Sequence, residues 1–137
     1  EVRYKEYFMD DAEYVVTGFG STGRVALSAV RAARAEGIKV GLLRPITVAP
    51  FPVKAFEKVV QTAKGLLVTE MNGGQMLIDV EAVVKGRIPV EFFGRLGGVV
   101  PFPDEILGEI HRMVKGPIPT DGTAHDRWVA RMAKLYK

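Results

Sequence analysis

The chain has no cysteine and only two histidines, His111 and His125, in 137 residues. Without cysteine it can hold no disulfide, no thiolate zinc site and no iron–sulfur cluster of its own. Two histidines far apart in sequence, with no clustered ligands beside them, argue against a metal centre. No apolar run approaches the ~20 residues that a membrane span needs. Blocks of five or six like charges are also missing, and 19 basic against 16 acidic residues leave a net charge of +3. Partners of the nucleic-acid or membrane class are therefore not expected. The charged start, Glu1-Val2-Arg3-Tyr4, shows no secretory leader, and a cytoplasmic location is expected. Position 1 is not Met, so the chain reads as an excised piece of a longer protein or as a processed chain.

What is present is an ordinary globular composition, 47% hydrophobic and 26% charged. That suffices for one domain with a buried core. Strand and helix patterns alternate along it. Residues 13–18 are rich in β-branched and aromatic side chains and read as a strand. Residues 19–23 form its turn, and 24–36 read as an alanine-rich helix stopped by Gly37, with Arg24, Ser28, Arg31 and Ala35 toward solvent. Residues 38–43 are apolar almost throughout, as befits a strand covered on both faces. Pro45, Pro50 and Pro52 make 44–52 a stiff, extended loop. Val53, Phe56, Val59, Val60 and Ala63 then recur at helical spacing. Residues 65–70 are a third strand, 71–74 its turn, and 75–85 a helix closed by Gly86. Residues 88–93 are a fourth strand, followed by a glycine-rich connection over 94–98. Pro103, Asp104 and Glu105 open a further helix whose stripe is Ile106, Leu107, Ile110, Met113 and Val114. Val2, Tyr4 and Phe8 suggest a short extra edge strand. Strands alternating with helices over short connections predict a parallel sheet with helices on both faces.

The composition shifts after Gly116, dividing the chain into an α/β domain over 1–116 and a linker plus helix over 117–137. In the tail, Trp128, Val129, Met132, Leu135 and Tyr136 share one helical face, and Arg127, Arg131, Lys134 and Lys137 take the other. Such a helix packs onto its own domain, docks on a partner subunit, or lies on a membrane surface.

Two turns carry candidate chemistry. Gly18, Gly20 and Gly23 make a G-x-G-x-x-G run after a strand and before a helix, the setting of a dinucleotide fingerprint. An acid is expected at the end of the next strand in that fingerprint, but Arg44 stands there, which suits a 2′-phosphate. The alternative is a tight turn that simply needs glycine. The second turn holds Glu70, Asn72 and Gln75, beside the first turn if the sheet is parallel. Its structural reading has Asn72 capping the helix and Gln75 bonding backbone. Arg44 and Arg95 approach the same rim, to meet an anion or, preferably, to form a salt bridge with Glu70. The candidate interface or anion-binding rim is thus Gly20, Ser21, Thr22, Gly23, Arg44, Glu70, Asn72, Gln75 and Arg95. No nucleophile system, P-loop, pair of catalytic carboxylates or thiamine–Mg²⁺ motif is present, so no catalytic, cofactor-binding or metal-ligating residue is assigned.

Four stretches together carry a family resemblance. They are Thr17-Gly18-Phe19-Gly20-Ser21-Thr22-Gly23-Arg24, Leu43-Arg44-Pro45-Ile46-Thr47, Pro50-Phe51-Pro52 and Glu70-Met71-Asn72-Gly73-Gly74-Gln75. Over roughly residues 3–115 the chain resembles the C-terminal part of the α subunit of 2-oxoacid:ferredoxin oxidoreductases. The resemblance implies a transketolase C-terminal-like domain, a three-layer α/β/α sandwich on a mostly parallel five-stranded sheet with one antiparallel strand. The implied reaction of the whole enzyme is oxidative decarboxylation of a 2-oxoacid to an acyl-CoA, with ferredoxin and CoA as substrates of the complex. Thiamine diphosphate, Mg and iron–sulfur clusters are implied for that complex and none for this fragment. The implied partners are the N-terminal domain of the same subunit and the β or other subunits, and the isolated fragment is expected to be inactive. The reading set against this is a small NADP- or phosphate-binding module using residues 18–23.

Overall fold

The computed structural model describes residues 2–47, 49–71, 74–95 and 100–135. Among these residues five strands form one sheet: β1 (Tyr4–Tyr7), β2 (Tyr14–Gly18), β3 (Val40–Pro45), β4 (Gly65–Glu70) and β5 (Val90–Gly94). Their spatial order is β1-β3-β2-β4-β5. Strands β3, β2, β4 and β5 run parallel, and β1 joins β3 antiparallel with Tyr4 opposite Pro45. This is the mostly parallel five-stranded sheet anticipated above, with residues 4–7 as the antiparallel edge.

Among the described residues there are five helices: α1 (Gly20–Ala35), α2 (Val53–Thr62), α3 (Gln75–Val84), α4 (Pro103–Lys115) and α5 (Ala124–Leu135). Helix α1 packs with α4, and α2 with α3. Right-handed crossovers put the first pair on one face of the sheet and the second on the other. The central strands are buried on both faces: Val15, Val16, Leu42, Leu43, Leu66, Leu67 and Val68 are essentially inaccessible. That explains their unbroken apolar runs. Phe56 and Val59 of α2 and Ile106, Ile110 and Met113 of α4 close the two layers.

Several boundaries depart from the sequence reading. Arg44 and Pro45 belong to β3 rather than to a loop. Pro45 is tolerated because β2 stops pairing at Thr17 opposite Leu43, so its missing N–H is not needed by the ladder. Val53, expected on the apolar stripe, is exposed, because it starts α2 at the rim. Helix α1 begins at Gly20, four residues earlier than expected. Phe19, with φ −104° and ψ 142°, completes the bend in a single residue. Helix α4 starts as expected, with Pro103 in its first turn and Asp104 and Glu105 beside it. The Gly97-Gly98 part of the connection after β5 lies outside the described residues.

The tail packs back onto its own domain. Trp128 is 3% exposed and meets the Phe92 ring edge-on, with centroids 5.1 Å apart. Arg127 and Arg131 do not face solvent as the helical pattern suggested. They turn inward, toward β5 and the buried carboxylate of Glu91, and Val129 is exposed instead.

Candidate functional site

The order of the parallel strands, β3-β2-β4-β5, reverses direction between β2 and β4. Helix α1 leaves the carboxyl end of β2 toward one face, and α3 leaves the carboxyl end of β4 toward the other. A crevice must open there, and in open α/β sheets that is where ligands and partners bind. The crevice has a volume of about 490 Å³. Phe19, Ser21 and Thr22 line one wall, and Glu70, Met71, Gln75, Met76 and Asp79 line the other.

The glycines of the first turn have a steric explanation. A Cβ on Gly23 would lie 2.6 Å from the carbonyl oxygen of Gly18 and 2.7 Å from Cγ of Arg44. One on Gly18 would lie 2.8 Å from Oγ1 of Thr69. Gly20 has φ +60°, the left-handed region that disfavours other residues. The glycine pattern therefore lets α1 cross close over β2 and β4. Residues 20–23 are the first turn of that helix rather than a separate loop. Thr22 and Gly23 are buried and Ser21 is exposed.

Glu70 is the organising residue of the second turn. Its Oε1 accepts the backbone N–H of Met76 and its Oε2 that of Leu77, each at 2.9 Å. The carboxylate thus caps α3 and fills the positive helix end that an anion would otherwise occupy. Glu70 is 7% exposed. Burial raises its pKa above the ordinary carboxylate range, against the lowering effect of these N–H donors, and nearby Asp79 adds a further upward push.

The expected salt bridge to Glu70 is not formed. Arg95 pairs with Glu105 at 2.7 Å and lies over the Phe102 ring, 5.5 Å from its centroid. Arg44 lays its methylenes along Gly23, on the α1 side of β3, and is partly buried. The two arginines therefore serve different helix starts and do not converge. Glu70 caps α3. Asn72 lies outside the described residues, and Gln75 is an exposed first-turn residue of α3. The structure brings Gly20, Ser21, Thr22, Glu70 and Gln75 together at the crevice, but Arg44 and Arg95 do not line it.

The sequence pattern did not mark Phe19, Met76 or Asp79 as crevice residues. For Asp79 a signal existed, since it stands one helical turn from Gln75 and shares its face. The crevice wall carries two carboxylates and no described cation. That charge suits a phosphate poorly.

The fold and this crevice define an open α/β domain on a mostly parallel sheet, with its cleft at the switch point. Comparison with known proteins narrows the class. Residues 12–106 match the family model described as pyruvate:ferredoxin oxidoreductase core domain II, and the chain belongs to that family. A ketoisovalerate oxidoreductase subunit, VorB of Methanothermobacter thermautotrophicus, is 48% identical over 113 residues, which are 82% of this chain and 32% of that protein. A 2-oxoglutarate synthase subunit, KorA of Methanothermobacter marburgensis, is 38% identical over 104 residues, covering 76% and 28% of the two chains. The chain spans about a third of the length of such relatives. Among solved structures, 2-oxoglutarate:ferredoxin oxidoreductase from Magnetococcus marinus superposes with a TM-score of 0.66 at 24% identity, over 80% of this chain and 19% of that one. A split-gene transketolase gives 0.58 at 17% identity, over 78% and 37%. Both likenesses are of fold.

Proposed function

We propose that this chain is the C-terminal structural and assembly domain of the α subunit of a thiamine-diphosphate-dependent 2-oxoacid:ferredoxin oxidoreductase. The complex would decarboxylate a 2-oxoacid oxidatively, pass the electrons to ferredoxin and release an acyl-CoA. The observation that carries this reading is the 48% identity to a ketoisovalerate oxidoreductase subunit across most of the chain. The geometry supports a supporting role. Among the described residues the crevice at the sheet's switch point brings together no nucleophile–base pair, and the anion seat at the start of α3 is occupied by Glu70 of the same chain.

The residues present do not fit the cofactors of such a complex. Iron–sulfur clusters need thiolates, and the sequence has none. A magnesium–diphosphate pair needs converging oxygen ligands. Among the described residues no group of three His, Cys, Asp or Glu side chains converges. No reaction step is therefore assigned to this chain. Its contribution would be to hold the N-terminal domain of its own subunit and the partner subunits in place.

Reconstitution tests the proposal. The chain is mixed with the remaining subunits of the complex, and 2-oxoacid oxidation is followed with a low-potential electron acceptor and CoA. The expected result is no turnover by the chain alone and association with the partners. Turnover by the purified chain would refute the reading, as would full assembly and activity of a complex lacking it.

A further inference from the structure

Strand β5 is an edge of the sheet, and its sequence Val90-Glu91-Phe92-Phe93 is prone to pair with another strand. Edges of this kind invite association unless they are blocked. In a parallel pair, alternate residues turn both backbone groups to the neighbour. Leu66 donates its N–H to the carbonyl of Pro89, so residues 89, 91 and 93 face β4. Val90 and Phe92 therefore present their N–H and C=O groups outward.

Helix α5 occupies that edge. Arg127 Nη2 donates to the carbonyl of Val90 and Arg131 Nη2 to the carbonyl of Phe92, each at 2.8 Å. The two arginines stand four residues apart, one helical turn, and the two carbonyls stand two residues apart on a strand. A turn of helix rises about 5.4 Å, and two strand residues span about 6.6 Å, so the spacings match. The same guanidinium groups reach the carboxylate of Glu91, which is 1% exposed and also pairs with Arg112 of α4. Trp128, between the arginines, packs on Phe92. Helix α5 lies beyond residues 12–106, the stretch that the family model covers.

We propose that α5 is an edge guard: a strap that satisfies the outward carbonyls of β5 and prevents a second copy of the chain from adding there. When the strap is removed, β5 pairs antiparallel with β5 of a second copy about a two-fold axis. Outward residues must face outward residues, and among the two-fold registers that meet this rule two keep Val90, Glu91 and Phe92 all paired. One sets Glu91 opposite Glu91 of the second copy, which like charge disfavours. The other sets Phe92 opposite Phe92, with Glu91 opposite Phe93, and this is the register expected.

The test compares the 137-residue chain with a variant lacking residues 117–137, by size-exclusion chromatography with light scattering. The expected result is a monomer for the full chain and a twofold mass for the deletion. A second deletion variant carries Val90→Pro, which removes an outward N–H that β4 does not use, and it is expected to return to monomer. A folded deletion that stays monomeric overturns the proposal. So does association that Val90→Pro leaves unchanged, since that is apolar clustering rather than strand pairing. Should the deletion fail to fold, the double variant Arg127→Ala/Arg131→Ala in the full chain decides by amide hydrogen exchange. Loss of the two carbonyl bonds lifts α5 off the edge and bares the outward N–H groups of Val90 and Phe92, whose exchange is expected to rise at least about tenfold while Leu66, Leu67 and Val68 hold. Equal protection in variant and parent overturns the guard.

Discussion

Glu70 shows how one side chain can settle what a loop does. Its two oxygens take the N–H groups of Met76 and Leu77, so the start of α3 is satisfied from within. Glu70→Ala leaves those buried donors without partners and should cost about 1–3 kcal/mol in denaturant unfolding. Its raised pKa also sets a pH dependence. Between the ordinary carboxylate range and the raised value, the native state binds more protons than the unfolded one, so Glu70 makes stability fall as pH climbs through that window. The stability of the parent chain relative to Glu70→Gln should therefore decline from about pH 4 upward. A difference that is flat or rises with pH would contradict the desolvation account. Gly23→Ala should be destabilising by about 1–3 kcal/mol, because the added methyl meets both backbone and the Arg44 stem. The G-x-G-x-x-G spacing was legible in the sequence. That it answers a close helix–strand crossing was not, because the crowding atoms, from Thr69 and Arg44, come from β4 and β3.

At the scale of the elements, the tail helix departs most from its sequence pattern. An arginine-lined face opposite a tryptophan face reads as solvent against core. Here Arg127 and Arg131 are drawn inward by Glu91 and by the open carbonyls of β5. One signal was available, a carboxylate inside the otherwise apolar run Val90-Glu91-Phe92-Phe93. A buried acid needs a charged or hydrogen-bonding partner, and a basic helix further along was the natural supplier. Trp128 is the only tryptophan, so its fluorescence reports α5 directly. Trp128→Ala should cost about 3–5 kcal/mol and loosen α5. In the parent chain, a red shift of the emission should accompany undocking of α5. If Trp128→Ala leaves the unfolding midpoint unchanged, α5 contributes nothing to the stability of the domain.

For the whole molecule, the switch-point crevice and the family bear on the same question. A wall with Glu70 and Asp79 and no described cation offers phosphate no side-chain counter-charge. Neither NADPH nor inorganic phosphate should shift the melting temperature of the chain, and a saturable stabilisation would revive the small-module reading set out from residues 18–23. The order of strands and helices was legible in local periodicity and in the proline and glycine positions. The mixed sheet with an antiparallel edge, and the family, came instead from the resemblance that the glycine turn, the Arg-Pro-Ile-Thr and Pro-Phe-Pro stretches and the Glu70 turn carry together. Three-dimensional packing was needed to show that Glu70 caps α3, that Arg95 joins Glu105 and not Glu70, and that the tail arginines bond the outward carbonyls of β5. Each of these depends on which groups from distant parts of the chain arrive beside a buried charge or an open carbonyl, and such encounters leave no period in the sequence.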